Sequence, residues 1–155
     1  APPVKSFTAV VTQAAVTSGT PGGNFAVSVP VGWTKFVEQR GRQGSLPDST
    51  AVRWVKTDGT AELTVERFAD YVPRSTKIYI QAVENADPSG KLFTALGAPD
   101  EYLFRTGETG RSTYFKVVTD NADLWVLSVT VPTVQEDSGK ANLYDKISPT
   151  FHVMP

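Results

Sequence analysis

The sequence predicts an α+β domain built on a central, mostly antiparallel β-sheet flanked by helices. Segments of apolar–polar alternation at period two recur along the chain, and short Asp-, Asn- and Gly-bearing turns join them. Two stretches of helical spacing each follow a group of strands instead of alternating with them, which argues against βαβ winding. With 155 residues, 40% of them hydrophobic, the chain is one ordinary domain with material for a core.

Residues 1–24 are mostly Ala, Thr, Val, Ser, Pro and Gly with a single charge, Lys5, and end in Gly19-Thr20-Pro21-Gly22-Gly23-Asn24. They read either as an extracytoplasmic tether carrying one edge strand, Ser6 to Gln13, or as an ordinary first strand and loop. A chain opening on Ala1 is expected to have lost an upstream segment, where any signal peptide or membrane anchor would lie. The folded domain is placed at residues 25–155.

Phe25 to Val29 alternates as a strand and stops at Pro30-Val31-Gly32-Trp33, where Pro cannot donate to a ladder and Gly permits a turn. Ala51 to Lys56 sets Val52 and Trp54 against Arg53. Leu63, Val65 and Arg67 alternate with Glu62, Thr64 and Glu66, and Thr57-Asp58-Gly59-Thr60 joins the two runs as a hairpin turn. Ser75 is positioned to cap a helix whose Ile78, Tyr79, Ala82, Val83 and Ala86 share a face, closing before Asp87-Pro88-Ser89-Gly90. Glu101 to Arg105, Arg111 to Thr119 and Leu124 to Val131 form a meander. In its last strand Trp125, Leu127, Val129 and Val131 make an apolar face against Val126, Ser128 and Thr130. Thr133-Val134-Gln135-Glu136 has the form of a capping box opening a helix to about Ile147, with Leu143, Tyr144 and Ile147 as its buried stripe.

Composition narrows the chemistry. No Cys is present, which removes disulfides, thiolate nucleophiles and Cys-bound metals, and His152 is the single imidazole. A formal net charge of -1 offers no field for phosphate backbones, so nucleic acid is not an expected partner. No apolar run approaches the length of a membrane span. Asp120, Asn121 and Asp123 read as an Asx turn, since a calcium loop needs more donors and a bidentate acid. No catalytic residue, cofactor or metal ligand is assigned.

The run Asn24-Phe25-Ala26-Val27-Ser28-Val29-Pro30-Val31-Gly32-Trp33, followed by a Trp-bearing strand, a helix, a meander and Trp125-Val126-Leu127-Ser128-Val129-Thr130-Val131-Pro132 leading into a last helix ending at Phe151, resembles the Mog1/PsbP-like family, in particular its actinobacterial extracytoplasmic and lipoprotein-type members. The resemblance spans roughly residues 25–151. It implies an α/β/α sandwich used as a non-catalytic binding module outside the cytoplasm. The family's contacts with a small GTPase or with photosystem subunits have no matching residues here.

Candidate contact residues cluster between Lys35 and Lys56, where Lys35, Arg40, Arg42, Arg53 and Trp54 combine positive charge with an aromatic. Gly41, Gly44 and Pro47 make Arg40 to Thr50 the longest expected loop, and such loops carry function disproportionately. Residues 1–80 hold nine basic and six acidic side chains, and residues 81–155 six and ten, a modest dipole able to steer a charged partner. Arg53 and Glu66 are expected to form a surface ion pair near Arg67 or Thr64. Trp33, Trp54 and Tyr114 are read either as lining a sheet groove or as core plugs. Three functions follow as expectations. The leading one is a non-catalytic extracytoplasmic module that recognises a protein partner through the loop and sheet face. The second is a carrier of a small apolar or lipid-like ligand between sheet and helix, with an apolar cavity of several hundred Å³. The third is a hydrolase built on Glu62 and Glu66 with Ser or Thr hydroxyls.

Overall fold

The computed structural model describes residues 6–14, 23–42, 44–69, 71, 76–94, 99–107, 110–120 and 122–154. In chain order these form β1 (Phe7–Gln13), β2 (Asn24–Pro30), β3 (Thr34–Arg40), β4 (Ser49–Val55), β5 (Glu62–Phe68), α1 (Lys77–Ala86), β6 (Lys91–Thr94), β7 (Glu101–Arg105), β8 (Arg111–Asp120), β9 (Asp123–Pro132), a composite helical segment α2 (residues 133–150) and β10 (His152–Val153). Strands β3-β4-β5-β9-β8-β7-β6 make a seven-stranded sheet, antiparallel throughout, and β1-β2-β10 make a second, three-stranded one. The α+β class with an antiparallel sheet and helices is thus the architecture of the chain.

The large sheet has a core on each face, as the alternation in its strands requires. On one face Val52, Trp54, Leu63, Val65, Trp125, Leu127, Val129 and Val131 meet Phe25, Val27 and Val29 of β2 and Leu143, Tyr144 and Ile147 of α2. Phe25 sits at the centre, edge-on to both Trp54 and Trp125 with ring centroids 6.3 and 5.6 Å away. Trp54 and Tyr114 are therefore core residues, and Trp33 packs against this core half-buried. The other face is smaller: Phe68, Phe104, Phe115, Val117, Leu124 and Val126 lie under Tyr79, Ile80 and Val83 of α1.

Several expectations need correction. The strand at Phe25 does not join the central sheet; it pairs with β1 and β10 to form a lid over the larger core. Strand β3 takes in Arg40 and β4 takes in Ser49 and Thr50, paired along their length, so the expected Arg40–Thr50 loop is shorter at both ends. A short strand, β6, precedes the meander. Ile78, expected in the apolar stripe of α1, is exposed, and Ile80 packs inward instead. Ser75 lies outside the described residues, and the N-cap position is Thr76, which makes no side-chain cap bond.

The capping box at Thr133 does not form either. Thr133 is the first residue of a 3₁₀ turn (Thr133–Gln135) that leads through an α turn (Glu136–Gly139) and a widened π turn (Lys140–Tyr144) to a final α turn (Asp145–Ile147) and 3₁₀ turn (Ser148–Thr150). The Glu136 carboxylate accepts Ser112 Oγ at 2.6 Å and Arg105 Nε at 2.8 Å, and Thr133 Oγ1 lies 3.0 Å from Ser112 Oγ. The carboxylate gains a bidentate guanidinium and a hydroxyl in place of one backbone amide, so the sheet takes it and the helix start is pinned to β7 and β8. The same Arg105 bond holds the Glu136 carboxyl below its ordinary range.

Candidate functional site

Helix α1 has ten residues and is about 15 Å long, whereas each of the ten-residue strands β8 and β9 runs for roughly 33 Å. The helix therefore covers only part of its sheet face, and the uncovered part is where the side chains change from apolar to polar. Register aligns two rows there. One runs Arg53, Thr64, Ser128, Phe115 and Tyr102 across β4, β5, β9, β8 and β7, and the next runs Val55, Glu62, Thr130, Thr113 and Phe104. Four hydroxyls, those of Thr64, Ser128, Thr130 and Thr113, form a tile between carboxylates on the β5 side and aromatic rings on the β7–β8 side. Thr113 and Thr130 share a hydrogen bond of 2.9 Å.

This tile floors a groove of about 220 Å³, whose acidic end is Glu62 and Glu66 with Arg40 and whose apolar wall is Tyr79, Val83, Phe104, Phe115 and Val126. Burial pushes the Tyr79 phenol well above its usual range and keeps it neutral. A wider depression of about 500 Å³ lies over the start of α2, but its aliphatic contribution is Val134 alone, which stands 94% exposed.

The acidic end is tied into a charge ladder on β3, β4 and β5. Arg53 donates to Glu62 at 2.9 Å and to Glu38, Arg40 donates to Glu38 at 3.2 Å and lies 3.4 Å from Glu66, and Ser49 Oγ donates to Glu66. The Arg53 bond is the main cause of a lowered Glu38 carboxyl, and the Glu62 bond the main cause of a raised Arg53.

The sequence-derived contact residues separate in space. Arg40 and Arg53 come together on the groove side, through their shared partner Glu38. Lys35 is on the opposite face of β3 and donates Nζ to Thr12 Oγ1 of β1 at 2.7 Å, and Arg42 is exposed just beyond β3. Trp54 is 4% exposed in the main core, so it is no contact residue: alternation on β4 turns it away from Arg53. The expected Arg53–Glu66 pair is replaced by Arg53–Glu62 and Arg40–Glu66, because Arg53 stands opposite Thr64. Arg67 is on the other face altogether and is buried. Asp123 of the expected Asx turn is the ion-pair partner of Arg67, at 2.7 Å.

The hydroxyl tile escaped the sequence reading. Ser128 and Thr130 were visible as the polar side of β9, but their placement beside Thr64 and Glu62 depends on the β5–β9 register, which joins residues more than sixty positions apart. The sequence matches no family model and no curated protein.

Proposed function

We propose that this domain is a non-catalytic binding module whose ligand is a small ring bearing several hydroxyls, of the monosaccharide or cyclitol class, held in the groove between α1 and the sheet. The observation that carries the reading is the hydroxyl tile with carboxylates at one end and Phe104 and Phe115 at the other. Hydroxyls of the ligand exchange hydrogen bonds with Thr64, Ser128 and Glu62, while its C–H face rests on the aromatic wall. The site is smaller than the roughly 300–1,000 Å³ of drug-sized pockets, which suits a single ring.

The groove favours this ligand over the two alternatives. An alkyl chain would strip water from the carboxylates and hydroxyls without replacing it, at about 1–3 kcal/mol for each group. Glu62 and Glu66 are both committed to ion pairs within the domain, Glu62 with Arg53 and Glu66 with Arg40, which leaves neither as a free acid–base partner of the other. Of the expected surface, the Arg40–Thr50 loop with its neighbouring sheet face, this reading keeps the sheet face, and it puts a small ring where the sequence leads one to expect a protein partner.

A ligand of about a dozen heavy atoms at roughly -0.3 kcal/mol each reaches about -4 kcal/mol, a Kd near 1 mM. Saturation-transfer NMR against aldohexoses, aldopentoses and inositols reads such affinities directly. At least one ring is expected to give a signal that is lost in Ser128→Leu, which fills the groove, and weakened in the isosteric Thr64→Val. Silence across the series, or a signal that survives Ser128→Leu, refutes the groove as the site.

A further inference from the structure

The two ends of the groove differ in charge. Around its acidic end three carboxylates, Glu38, Glu62 and Glu66, share two guanidiniums. Arg53 serves Glu38 and Glu62, while Arg40 divides between Glu38, at 3.2 Å, and Glu66, at 3.4 Å. One negative charge is left over, and it falls to Glu66, whose ion pair is the longest of these four and whose side chain is only 13% exposed. Another cation on this face of the sheet, Arg111, stands at the far end beyond Thr113 and donates to the Thr60 carbonyl at 3.2 Å.

Helix α1 sets a phenol beside that surplus charge. Tyr79 lies edge-on to Phe68 and Phe115, ring centroids 5.9 and 6.0 Å away, and Phe68 follows Glu66 on the same face of β5. Burial is the main cause of the raised Tyr79 phenol, and the Glu66 charge is near enough to add to it. Tyr79 and Thr64 both line the groove and are only 9% and 7% exposed, yet among the described residues no hydrogen bond engages Tyr79 Oη or Thr64 Oγ1. Buried hydroxyls are as a rule bonded. Two open ones next to an under-neutralised carboxylate call for a partner that donates hydrogen bonds and carries positive charge.

We infer that the ring bound in the groove carries an amino group, seated as an ammonium among Glu66, Thr64 and Tyr79, so that the ligand is an amino sugar or an aminocyclitol. An ammonium has three N–H donors and no acceptor, and the three side chains offer it three oxygens. A divalent cation fits less well, because it takes six or more oxygens and finds one carboxylate and two hydroxyls. The inference rests on the ring-binding reading above and adds the charge of its ligand.

The test is a set of NMR titrations at about pH 6, where the amine is protonated and the carboxylates are ionised. Glucosamine is compared with glucose, and 2-deoxystreptamine with myo-inositol. Each amino ring is expected to bind roughly tenfold more tightly than its neutral counterpart. Glu66→Gln, whose amide oxygen still accepts from Ser49, should remove that preference and leave the Kd for the neutral ring unchanged, which also reports an intact groove. Tyr79→Phe should reduce the preference roughly threefold. Asp137→Asn, an exposed acid of α2 on the other side of the sheet, should leave it in place. Equal binding of amino and neutral rings, a preference that survives Glu66→Gln, or one lost equally in Asp137→Asn overturns the inference while the ring-binding reading stands. Silence from every ring overturns both.

Discussion

Arg67 occupies a position where the alternation of β5, with Leu63 and Val65 before it, asks for an aliphatic residue. It is 1% exposed, donates Nε to Asp123 at 2.7 Å and a terminal nitrogen to the carbonyl of Ala14 at 3.1 Å, and lies 5.9 Å above the Trp125 ring. Gly23 closes the same pocket with φ +90, and a Cβ there would stand 2.6 Å from the Ala14 oxygen and 2.7 Å from the guanidinium. Such a pair holds Ala14 and Gly23 to the large sheet more than it adds net stability, since desolvation offsets most of its attraction. Breaking it is costly. Arg67→Met is expected to lower the unfolding free energy by about 3 kcal/mol in urea titration, and adding Asp123→Asn to recover part of that loss. Asp58 makes the opposite kind of contribution, on the surface. Its carboxylate accepts Thr60 Oγ1 at 2.6 Å and the Thr60 N–H at 2.9 Å and pairs with Lys56 at 3.3 Å, which together hold its pKa down to about 2. A carboxyl whose folded pKa lies below the unfolded value of 3.8 stabilises the fold above about pH 4, and that contribution is lost as the pH falls toward 2. Asp58→Ala should flatten the stability curve across that window in urea midpoints taken at stepped pH. A variant curve parallel to the parent would show that the turn does not act through this charge.

Among the elements, those with one apolar face were legible and those without were not. β9 carries an unbroken Trp125-Leu127-Val129-Val131 stripe, and its burial follows directly. β3 presents Lys35, Val37 and Gln39 on one face and Phe36, Glu38 and Arg40 on the other, so no period-two signal exists to read; its pairing with β4 makes it a strand. The helix at the C-terminus was visible as a pattern, yet its opening geometry depends on Arg105 and Ser112, which no local rule brings near Glu136. Its close seat on the sheet depends on Gly139: an added Cβ would come within 2.7 and 3.0 Å of the two Val131 methyls. Ala favours a helix over Gly by about 1 kcal/mol, but overpacking a full core costs about 1–3 kcal/mol. Gly139→Ala is therefore expected to destabilise the domain by about 1 kcal/mol net in thermal or urea unfolding, and a gain in stability would mean that α2 can lift off β9 freely.

At the scale of the whole molecule, composition and alternation reached the class, and pairing between distant segments decided the rest. β2 reads as a strand from Phe25-Ala26-Val27-Ser28-Val29, but alternation reveals faces and not partners. That it joins β1 and β10 in a separate sheet follows from contacts such as Ala26 with His152, far apart along the chain. The groove was half legible for the same reason: the acids of β5 and the hydroxyls of β9 were each visible, and their adjacency was not. The three-stranded lid has one more consequence. Phe7 lies beside Pro30 at one end of β2, while Val153 lies beside Phe25 at the other, and both outer strands run antiparallel to the middle one. A pulling force applied between residues 7 and 153 would load the ladder bonds lengthwise and together, as in a lap joint, instead of opening them one by one like a zip.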